Sequence, residues 1–152
     1  MKAITIEKLT NISTSQLDQI MHIWLQENIS AHGAYVSEAY WRTNEPLVRQ
    51  LIQTTATVYV AEEHGVVKGF CGLQDDYIAG IFVCSDMHGQ GVGTRLIEAV
   101  KADHHRLSLS VYKQNSVAIK FYETHGFVLT QTGMDEENHV PECEMNWEQT
   151  KF

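Results

Sequence analysis

Residues 77–100 read YIAGIFVCSDMHGQGVGTRLIEAV, and this segment is the most informative about both the architecture and the chemistry. Its first part, 77–83, is an apolar, β-rich run typical of a strand. After the segment CSDM, glycines open an amphipathic helix that we predict from Gly91 to Asp103. The apolar residues on one face of this helix are Val92, Leu96, Ile97 and Val100.

A glycine-rich turn at a helix N-terminus is an anion site, because the first N–H groups point outward at the positive end of the helix dipole. Gly91 and Gly93 would let a phosphate approach the backbone closely, so we expect a pyrophosphate here. A Walker loop is excluded, since Gly93 is followed by Thr94-Arg95 rather than by Lys and then Ser or Thr. A Rossmann fingerprint starting at Gly89 fails because its sixth position is Thr94. The alternative is that the glycines only shape a strand-to-helix turn.

Composition excludes several classes of protein. With 152 residues, of which 43% are hydrophobic, we expect one globular domain over 1–152. No apolar run reaches the length of a membrane span and no signal h-region follows Met1, so we expect a cytoplasmic protein with no membrane partner. The net charge of -8 and the lack of a basic stripe argue against nucleic acid. We expect a monomer or homodimer.

The cysteines and histidines do not indicate a metal site. The three cysteines form no CxxC pair, and the eight histidines show no zinc-site spacing. We therefore expect reduced, mostly buried thiols and no metal.

The predicted order of elements is β-α-α-β-β-β-α-β-α-β-β, which indicates an α+β fold. The dipeptide His64-Gly65 predicts a tight hairpin, and Asp75-Asp76 predicts the next turn. Helix 116–125 ends at Gly126, and two last strands flank the acidic segment DEENHV. The economical packing is a layered one, with helices on both faces of a mixed, mostly antiparallel sheet of about seven strands.

The N-terminal half carries a strand and two helices. We predict the strand over 3–8 and the first helix over about 15–28, followed by a loop in NISAHGAYV. Ser37 would cap the second helix, which should kink or split near Pro46 because proline lacks the N–H that a helix needs.

A second motif lies downstream in LSVYKQNSVAIKFYETHGF, residues 109–127. Together with the glycine loop it resembles the GNAT superfamily of N-acetyltransferases. That family's acyl-CoA loop, Gln or Arg-x-x-Gly-x-Gly or Ala, is represented here by His88-Gly89-Gln90-Gly91-Val92-Gly93. Its later signature, Asn-x-x-Ala-x-x-x-Tyr-x-x-x-Gly-Phe, is matched at Asn115, Ala118, Tyr122, Gly126 and Phe127. The element order fits nearly the whole chain, and the specific motifs lie within 81–127.

The resemblance implies acetyl-CoA as co-substrate and a role for each matched position. The strand would splay away from residues 109–111 and offer backbone groups to the pantetheine arm and the acetyl carbonyl from Ile81, Phe82 and Val83. The pyrophosphate would be cradled by His88, Gly89, Gln90, Gly91, Val92, Gly93 and Thr94. Asn115 would hydrogen-bond the pantetheine region, and Tyr122 would face the thioester sulfur. A strand N–H would hold the oxyanion.

Two features depart from the family pattern. His88 replaces Gln or Arg at the first loop position, although its imidazole could still donate to a phosphate. The positions where family members carry a carboxylate base are Ser110 and Tyr77 here. Asp75 and Asp76 lie nearby, but adjacent acids in a hairpin are typical turn residues. We therefore expect a water relay to deprotonate the acceptor.

The resemblance implies direct transfer of the acetyl group to a primary amine of a protein N-terminus, a lysine or a small molecule. Lack of a base is less damaging for an α-amine, whose pKa is about 7.7 to 8.0, than for lysine at about 10.4, which favours an N-terminal or a small, weakly basic amine as acceptor. Cys84 has no partner His or Asp at a recognisable spacing, so we interpret it as structural. The alternative function is a non-catalytic acyl-CoA-binding or interaction module. Acetyl-CoA would be the only cofactor.

Family members select the acceptor with the first two helices, their connection and the loop between the last two strands, which here is DEENHVPE. The residues that we single out for acceptor binding are Glu27, His32 and Tyr35. Trp41, at helical spacing, is assigned to the core.

Overall fold

The computed structural model describes residues 4–150. The strands are β1 (Ile4–Lys8), β2 (Thr57–Glu63), β3 (Val66–Gln74), β4 (Tyr77–Val83), β5 (Arg106–Tyr112), β6 (Val128–Asp135) and β7 (Val140–Glu148). The helices are α1 (Thr14–His32), α2 (Glu38–Thr54), α3 (Val92–Ala102) and α4 (Ser116–Thr124). A single 3-10 turn, Ser85–Met87, links β4 to the glycine loop. The predicted element order is confirmed; Ala3, the predicted start of the first strand, lies outside the described residues.

The strands form one seven-stranded sheet in the order β1-β2-β3-β4-β5-β7-β6. Every neighbouring pair is antiparallel except β4 and β5, which run parallel. The β2–β3 hairpin turns at His64 and Gly65, both with positive φ, as the sequence predicts. The mixed, mostly antiparallel sheet of the predicted fold is confirmed.

Two apolar clusters fill the space on the two faces of the sheet. Helices α1 and α2 pack on one face, where Ile20 and Val60 are fully buried. Helices α3 and α4 pack on the other face, where Leu96 and Met145 are fully buried. The predicted layering of helices on both faces is therefore confirmed. Among the described residues, no helix combines the length and the apolarity needed to cross a bilayer.

The first helix is longer than predicted. A capping box starts it, since Ser13 and Gln16 exchange hydrogen bonds of 3.0 Å. It continues to His32, through residues that we expected in a loop. The reason is packing, because Asn28 is buried with its Nδ2 donating to the Trp24 carbonyl at 2.9 Å, and Ile29 extends the apolar stripe.

The second helix is one element rather than two. Ser37 caps it as predicted, but Pro46 lies inside it and does not divide it. Trp41 and Ile52, on either side of the proline, are both buried against the sheet. The burial of these two side chains favours a continuous helix, although proline removes one of its hydrogen bonds.

A β-bulge separates β4 from β5. On the β3 side, Gly80 pairs with Gly72 but Ile78 pairs with Leu73, so Ala79 is an extra residue. A bulge bends its strand, and the pairing of β4 with β5 ends at Ile78. The sheet therefore opens between its two central strands, as the resemblance implies.

Candidate active site

Beyond the bulge, the edge of β4 that faces β5 has no strand partner among the described residues. The Cys84 N–H donates to the Lys68 carbonyl on the β3 side at 2.9 Å. In an antiparallel pair of strands, the N–H groups of successive residues point alternately toward the partner strand and away from it. Because the N–H of Cys84 points to β3, the N–H groups of Val83 and Ile81 point to the open edge. The N–H of Phe82 turns to β3, and its ring lies against the core on the α1 and α2 face. Two backbone amides are thus available to a ligand at this opening.

The glycine loop ends at Gly91, the N-cap of α3, whose φ of 80° is in the left-handed region. Within residues 4–150, no side chain caps this helix. The Arg95 N–H makes the first helical bond, to the Gly91 carbonyl at 3.1 Å, so the N–H groups of residues 92–94 have no helical partner. The helix start therefore presents donors at its positive end, as an anion site requires.

Gly93 and Thr94 are engaged in packing on the α4 side of the loop. A Cβ on Gly93 would lie 3.3 Å from Cε1 of Phe121, which is tighter than ordinary contact. Thr94 Oγ1 lies 3.3 Å from Nε2 of His125. We expected Gly93 to serve phosphate approach, whereas the structure shows that it also lets α3 approach α4.

His88 is turned toward its own strand and toward α1. Its Nε2 lies 2.7 Å from the Val83 carbonyl oxygen and 3.0 Å from Oε1 of Glu27. Gln90, which we also expected at the pyrophosphate, donates from Nε2 to the Asp86 carbonyl at 3.2 Å. Both side chains therefore hold the loop in place, and the backbone N–H groups of residues 92–94 remain as donors for an anion.

Asn115 begins α4. Its Oδ1 accepts a hydrogen bond from the Ala118 N–H at 3.2 Å, which is the N-cap interaction. This bond fixes the orientation of the amide, and within residues 4–150 no hydrogen bond occupies its Nδ2. Asn115 thus combines a structural cap with a donor at the edge of the opening.

Two cavities meet at the gap between β4 and β5. The first, the loop cleft, has a volume of about 470 Å³ and lies between α1, β4, the glycine loop, α3 and α4. The second, the aromatic cavity, has a volume of about 360 Å³ and lies between α1, α2, β4, β5, α4 and Glu142 of β7. Both are lined by His32, Ile81, Phe82, Asn115, Ala118 and Tyr122.

Tyr122 stands at this shared boundary. It is 7% exposed, and its ring packs between Phe121 and Phe127 at centroid distances of 5.3 and 5.5 Å. Its hydroxyl makes no hydrogen bond within the described part of the chain. Burial raises the pKa of the phenol, so the hydroxyl keeps its proton at neutral pH and can donate it.

The structure separates the three residues predicted to bind the acceptor. His32 lines both cavities, and burial lowers its imidazole pKa. Tyr35 stands behind it, with its hydroxyl 2.7 Å from His32 Nδ1. Glu27 lines the loop cleft and does not line the aromatic cavity. Trp41, which we assigned to the core, is buried as expected but also lines the aromatic cavity.

Cys84 is held as a thiol. It donates from Sγ to Oδ1 of Asp86 at 2.7 Å, and burial together with this carboxylate raises its pKa to about 11. A thiol with so high a pKa is a poor nucleophile at neutral pH. The geometry supports the structural interpretation of this cysteine.

The two positions at which family members carry a carboxylate base, and this chain does not, face the aromatic cavity. Tyr77 and Ser110 both line it. Asp75 and Asp76 lie in the β3–β4 turn and line neither cavity, and Asp75 adopts a positive φ of 54°. These two aspartates are turn residues, as their sequence pattern predicts.

A cluster in the wall of the aromatic cavity was not predictable from the sequence. Tyr112 and Glu142 face each other across β5 and β7, and Tyr40 of α2 lines the same cavity. Tyr112 donates to Oδ2 of Asp135 at 2.6 Å. The segment 135–142 was singled out for acceptor choice, but only the strand register shows which of its acids reaches the cavity.

Comparison with known proteins gives the family. A model of the acetyltransferase (GNAT) domain matches residues 54–129. The peptidyl-lysine N-acetyltransferase YiaC of Escherichia coli K12 is 32% identical over 134 residues, which cover 88% of this chain and 91% of YiaC. The peptidyl-lysine N-acetyltransferase YjaB of the same organism is 27% identical over 113 residues, 74% of this chain and 76% of YjaB. The solution structure of apo YjaB from Escherichia coli superposes with a TM-score of 0.79 at 25% identity, covering 95% of this chain and 97% of YjaB. The glycine loop, the split sheet and these matches together show that the chain belongs to the GNAT family of acetyltransferases.

Proposed function

We propose that this enzyme transfers the acetyl group of acetyl-CoA directly to the primary amine of a lysine side chain, with acetyl-CoA in the loop cleft and the amine in the aromatic cavity. The observation that carries the proposal is the meeting of the two cavities at Tyr122. Two ligands that enter from the two cavities would bring their reacting atoms together beside a buried phenol.

The donor side is supported by the uncapped start of α3. Its free N–H groups and its dipole suit the pyrophosphate of CoA. No lysine or arginine is among the residues that line the loop cleft within 4–150, so the backbone supplies the attraction. Asn115 Nδ2 and the open-edge amides of Ile81 and Val83 would hold the pantetheine arm and the acetyl oxygen.

The chemistry needs no covalent enzyme intermediate. The neutral amine attacks the thioester carbonyl carbon, a C–N bond forms, and the C–S bond breaks. The leaving thiolate takes the proton of the Tyr122 hydroxyl, and the resulting phenolate recovers the surplus proton of the new amide nitrogen. The pKa of Cys84, at about 11, argues against an acyl-cysteine route.

Lysine is favoured as acceptor by the relatives, since YiaC and YjaB are both peptidyl-lysine N-acetyltransferases. A protein N-terminus and a small amine are the competing acceptors. The aromatic cavity, lined by His32, Tyr40, Trp41 and Tyr112, suits the aliphatic arm and the cationic head of an alkylamine.

The test measures thiol release from acetyl-CoA with three matched peptides. One carries a free lysine and a blocked N-terminus, one carries a free N-terminus and no lysine, and one carries neither amine. Lysine-dependent release, with the acetyl group located on Nε by mass spectrometry, is the expected result. Release only with the free N-terminus would overturn the lysine assignment, and no amine-dependent release at all would overturn the proposed function.

A further inference from the structure

The aromatic cavity contains one carboxylate that the family pattern does not account for. Glu142 is the only acidic residue among the cavity-lining residues within 4–150. It belongs to β7, two strands away from β4, whereas the positions at which relatives carry a base are occupied by Tyr77 and Ser110.

The sheet places Glu142 at the cavity wall. β7 pairs with β5 so that Glu142 lies opposite Tyr112, and β6 on its other side places Gly133 opposite it. A glycine on that side adds no side chain next to the carboxylate. Glu142 is half-buried, and within the described part of the chain its carboxylate accepts no hydrogen bond and pairs with no cation. A carboxylate so placed has both oxygens available to a ligand.

The ionisable groups that interact with Glu142, or with the tyrosines beside it, are acidic or neutral. They are Tyr40 from α2, Tyr112 from β5, Asp135 at the end of β6 and Glu137 in the following turn. Lys113 is bonded through its backbone N–H to the Pro141 carbonyl at 2.9 Å, but it does not line the cavity. Asp135 is already used, since Tyr112, Asn138 and two backbone N–H groups donate to it. Burial, together with the charge of Asp135, raises the pKa of Glu142, which makes it a stronger base than an exposed glutamate.

The rest of the cavity suits a cation in front of this carboxylate. The His32 ring lies 5.0 Å from Tyr112 and 5.6 Å from Trp41, and Trp41 lies 5.0 Å from Tyr40. Electron-rich ring faces attract ammonium groups. Burial lowers the pKa of His32, so its ring stays neutral and does not repel a cation. No lysine or arginine lines the cavity within 4–150, so an acceptor carboxylate would find no counter-ion there.

One buried polar group in the same wall lacks a hydrogen-bond partner within residues 4–150. Trp41 Nε1 is buried without a hydrogen-bond partner among the described residues. Asn28 also lines the cavity; its Nδ2 donates to the Trp24 carbonyl, and its Oδ1 is an acceptor that has no hydrogen bond within 4–150. Buried polar atoms are normally satisfied, so the unpartnered Trp41 Nε1 in a cavity wall indicates a polar ligand.

We propose that Glu142 is the general base of this enzyme and that it accepts a proton from an alkylammonium acceptor bound in the aromatic cavity. This inference rests on the proposed function. One N–H bond of the ammonium group breaks and an O–H bond forms on the Glu142 carboxylate. The neutral amine then attacks the thioester, and protonated Glu142 releases its proton to water after turnover. The acceptor class is therefore a basic alkylamine such as a lysine side chain, rather than the α-amine of an amino acid with its adjoining carboxylate.

The test compares wild type, Glu142→Gln and the control Glu148→Gln over pH. Glu148 is exposed on the same strand and lines neither cavity. Two acceptors are used, a lysine peptide and the same peptide with the less basic thialysine. In the wild type, kcat/KM should rise with pH around a midpoint that is the same for both acceptors, because this rise reports the ionisation of Glu142. In Glu142→Gln, kcat at pH 7 should fall by about 10²-fold. The midpoint of the rise of kcat/KM with pH should then move to the pKa of whichever acceptor is used.

Folding of each variant is checked by its melting temperature and its affinity for CoA, which should match wild type. Glu142→Asp keeps a carboxylate, so the midpoint of its kcat/KM rise with pH should stay the same for both acceptors, while kcat falls. The inference is overturned if Glu142→Gln behaves like Glu148→Gln, or if the wild-type limb already follows the acceptor. Either result leaves the proposed function standing. A wild-type enzyme without lysine-dependent thiol release overturns both.

Discussion

The carboxylate oxygen Oε1 of Glu27 lies 3.0 Å from Nε2 of His88, and both residues line the loop cleft. Helix α1 thus places a negative charge in the cavity that is proposed to hold the phosphates of CoA. The His88 ring, whose Nε2 also lies 2.7 Å from the Val83 carbonyl oxygen, contacts this carboxylate and can offset its charge.

Replacing Glu27 by Gln should tighten CoA binding about threefold, because it removes the repulsion between a partly exposed carboxylate and the pyrophosphate. The measurement is calorimetric titration with CoA at low and high salt, and the gain should shrink at high salt. Glu98→Gln is the control, since Glu98 contacts His125 away from the cleft lining. Weaker binding by Glu27→Gln would mean that Glu27 acts by holding His88 in place.

Tyr122→Phe should lower kcat by about 10²- to 10³-fold, because it removes the proton offered to the thiolate while the ring and its packing remain. Affinity for CoA and the free energy of unfolding should stay near wild type, since the hydroxyl makes no hydrogen bond within the described residues. Steady-state rates at a saturating acceptor concentration and chemical denaturation test both statements.

Tyr59→Phe is the matched control for this variant. The Tyr59 hydroxyl donates to Asp103 at 2.6 Å, and Tyr59 lines neither cavity. That substitution should cost about 1 kcal/mol of stability and leave kcat unchanged. If Tyr122→Phe shows the same pattern, Tyr122 is a packing residue.

Gly91→Ala should reduce the free energy of unfolding by about 1–2 kcal/mol even without ligand, because φ is 80° at this position. A Cβ there would meet no other group within 4 Å, so the loss reports backbone strain and not collision. Gly91→Asn should lose less free energy of unfolding than Gly91→Ala, because asparagine tolerates the left-handed region better than alanine. Denaturant unfolding of the three proteins checks this order, and equal losses for Ala and Asn would argue against strain as the cause.

Cys84 should react slowly with iodoacetamide at pH 8. With a pKa of about 11, only about one thiol in a thousand is ionised at that pH, and the rate should climb until the pH passes 11 or the fold is lost. Mass spectrometry of time points, with free N-acetylcysteine as the reference thiol, gives the rate. Cys84→Ala should keep wild-type kcat, and a loss comparable to that of Tyr122→Phe would revive a covalent route.

The glycine loop, the element order and the Tyr122 motif were predictable because each depends on residues close together in the sequence. The length of α1 was not, since Asn28 and Ser30 carry a loop-like composition, and the packing of Asn28 and Ile29 keeps this segment helical. The continuity of α2 through Pro46 has the same origin. Tyr112 and Glu142 are thirty positions apart, and a shift of one residue in the β5–β7 register would turn Glu142 to the other face.

The bulge at Ala79 has a consequence for the dynamics of the free protein. The amides of Ile81 and Val83 lack the strand partner that protects backbone groups elsewhere in the sheet, so they should exchange hydrogen for deuterium faster than the amides of the paired β2 and β3 strands. A bound pantetheine arm would occupy that missing position. Slower hydrogen exchange at these two amides would then report directly that CoA or acetyl-CoA is bound. It would do so residue by residue and without any turnover.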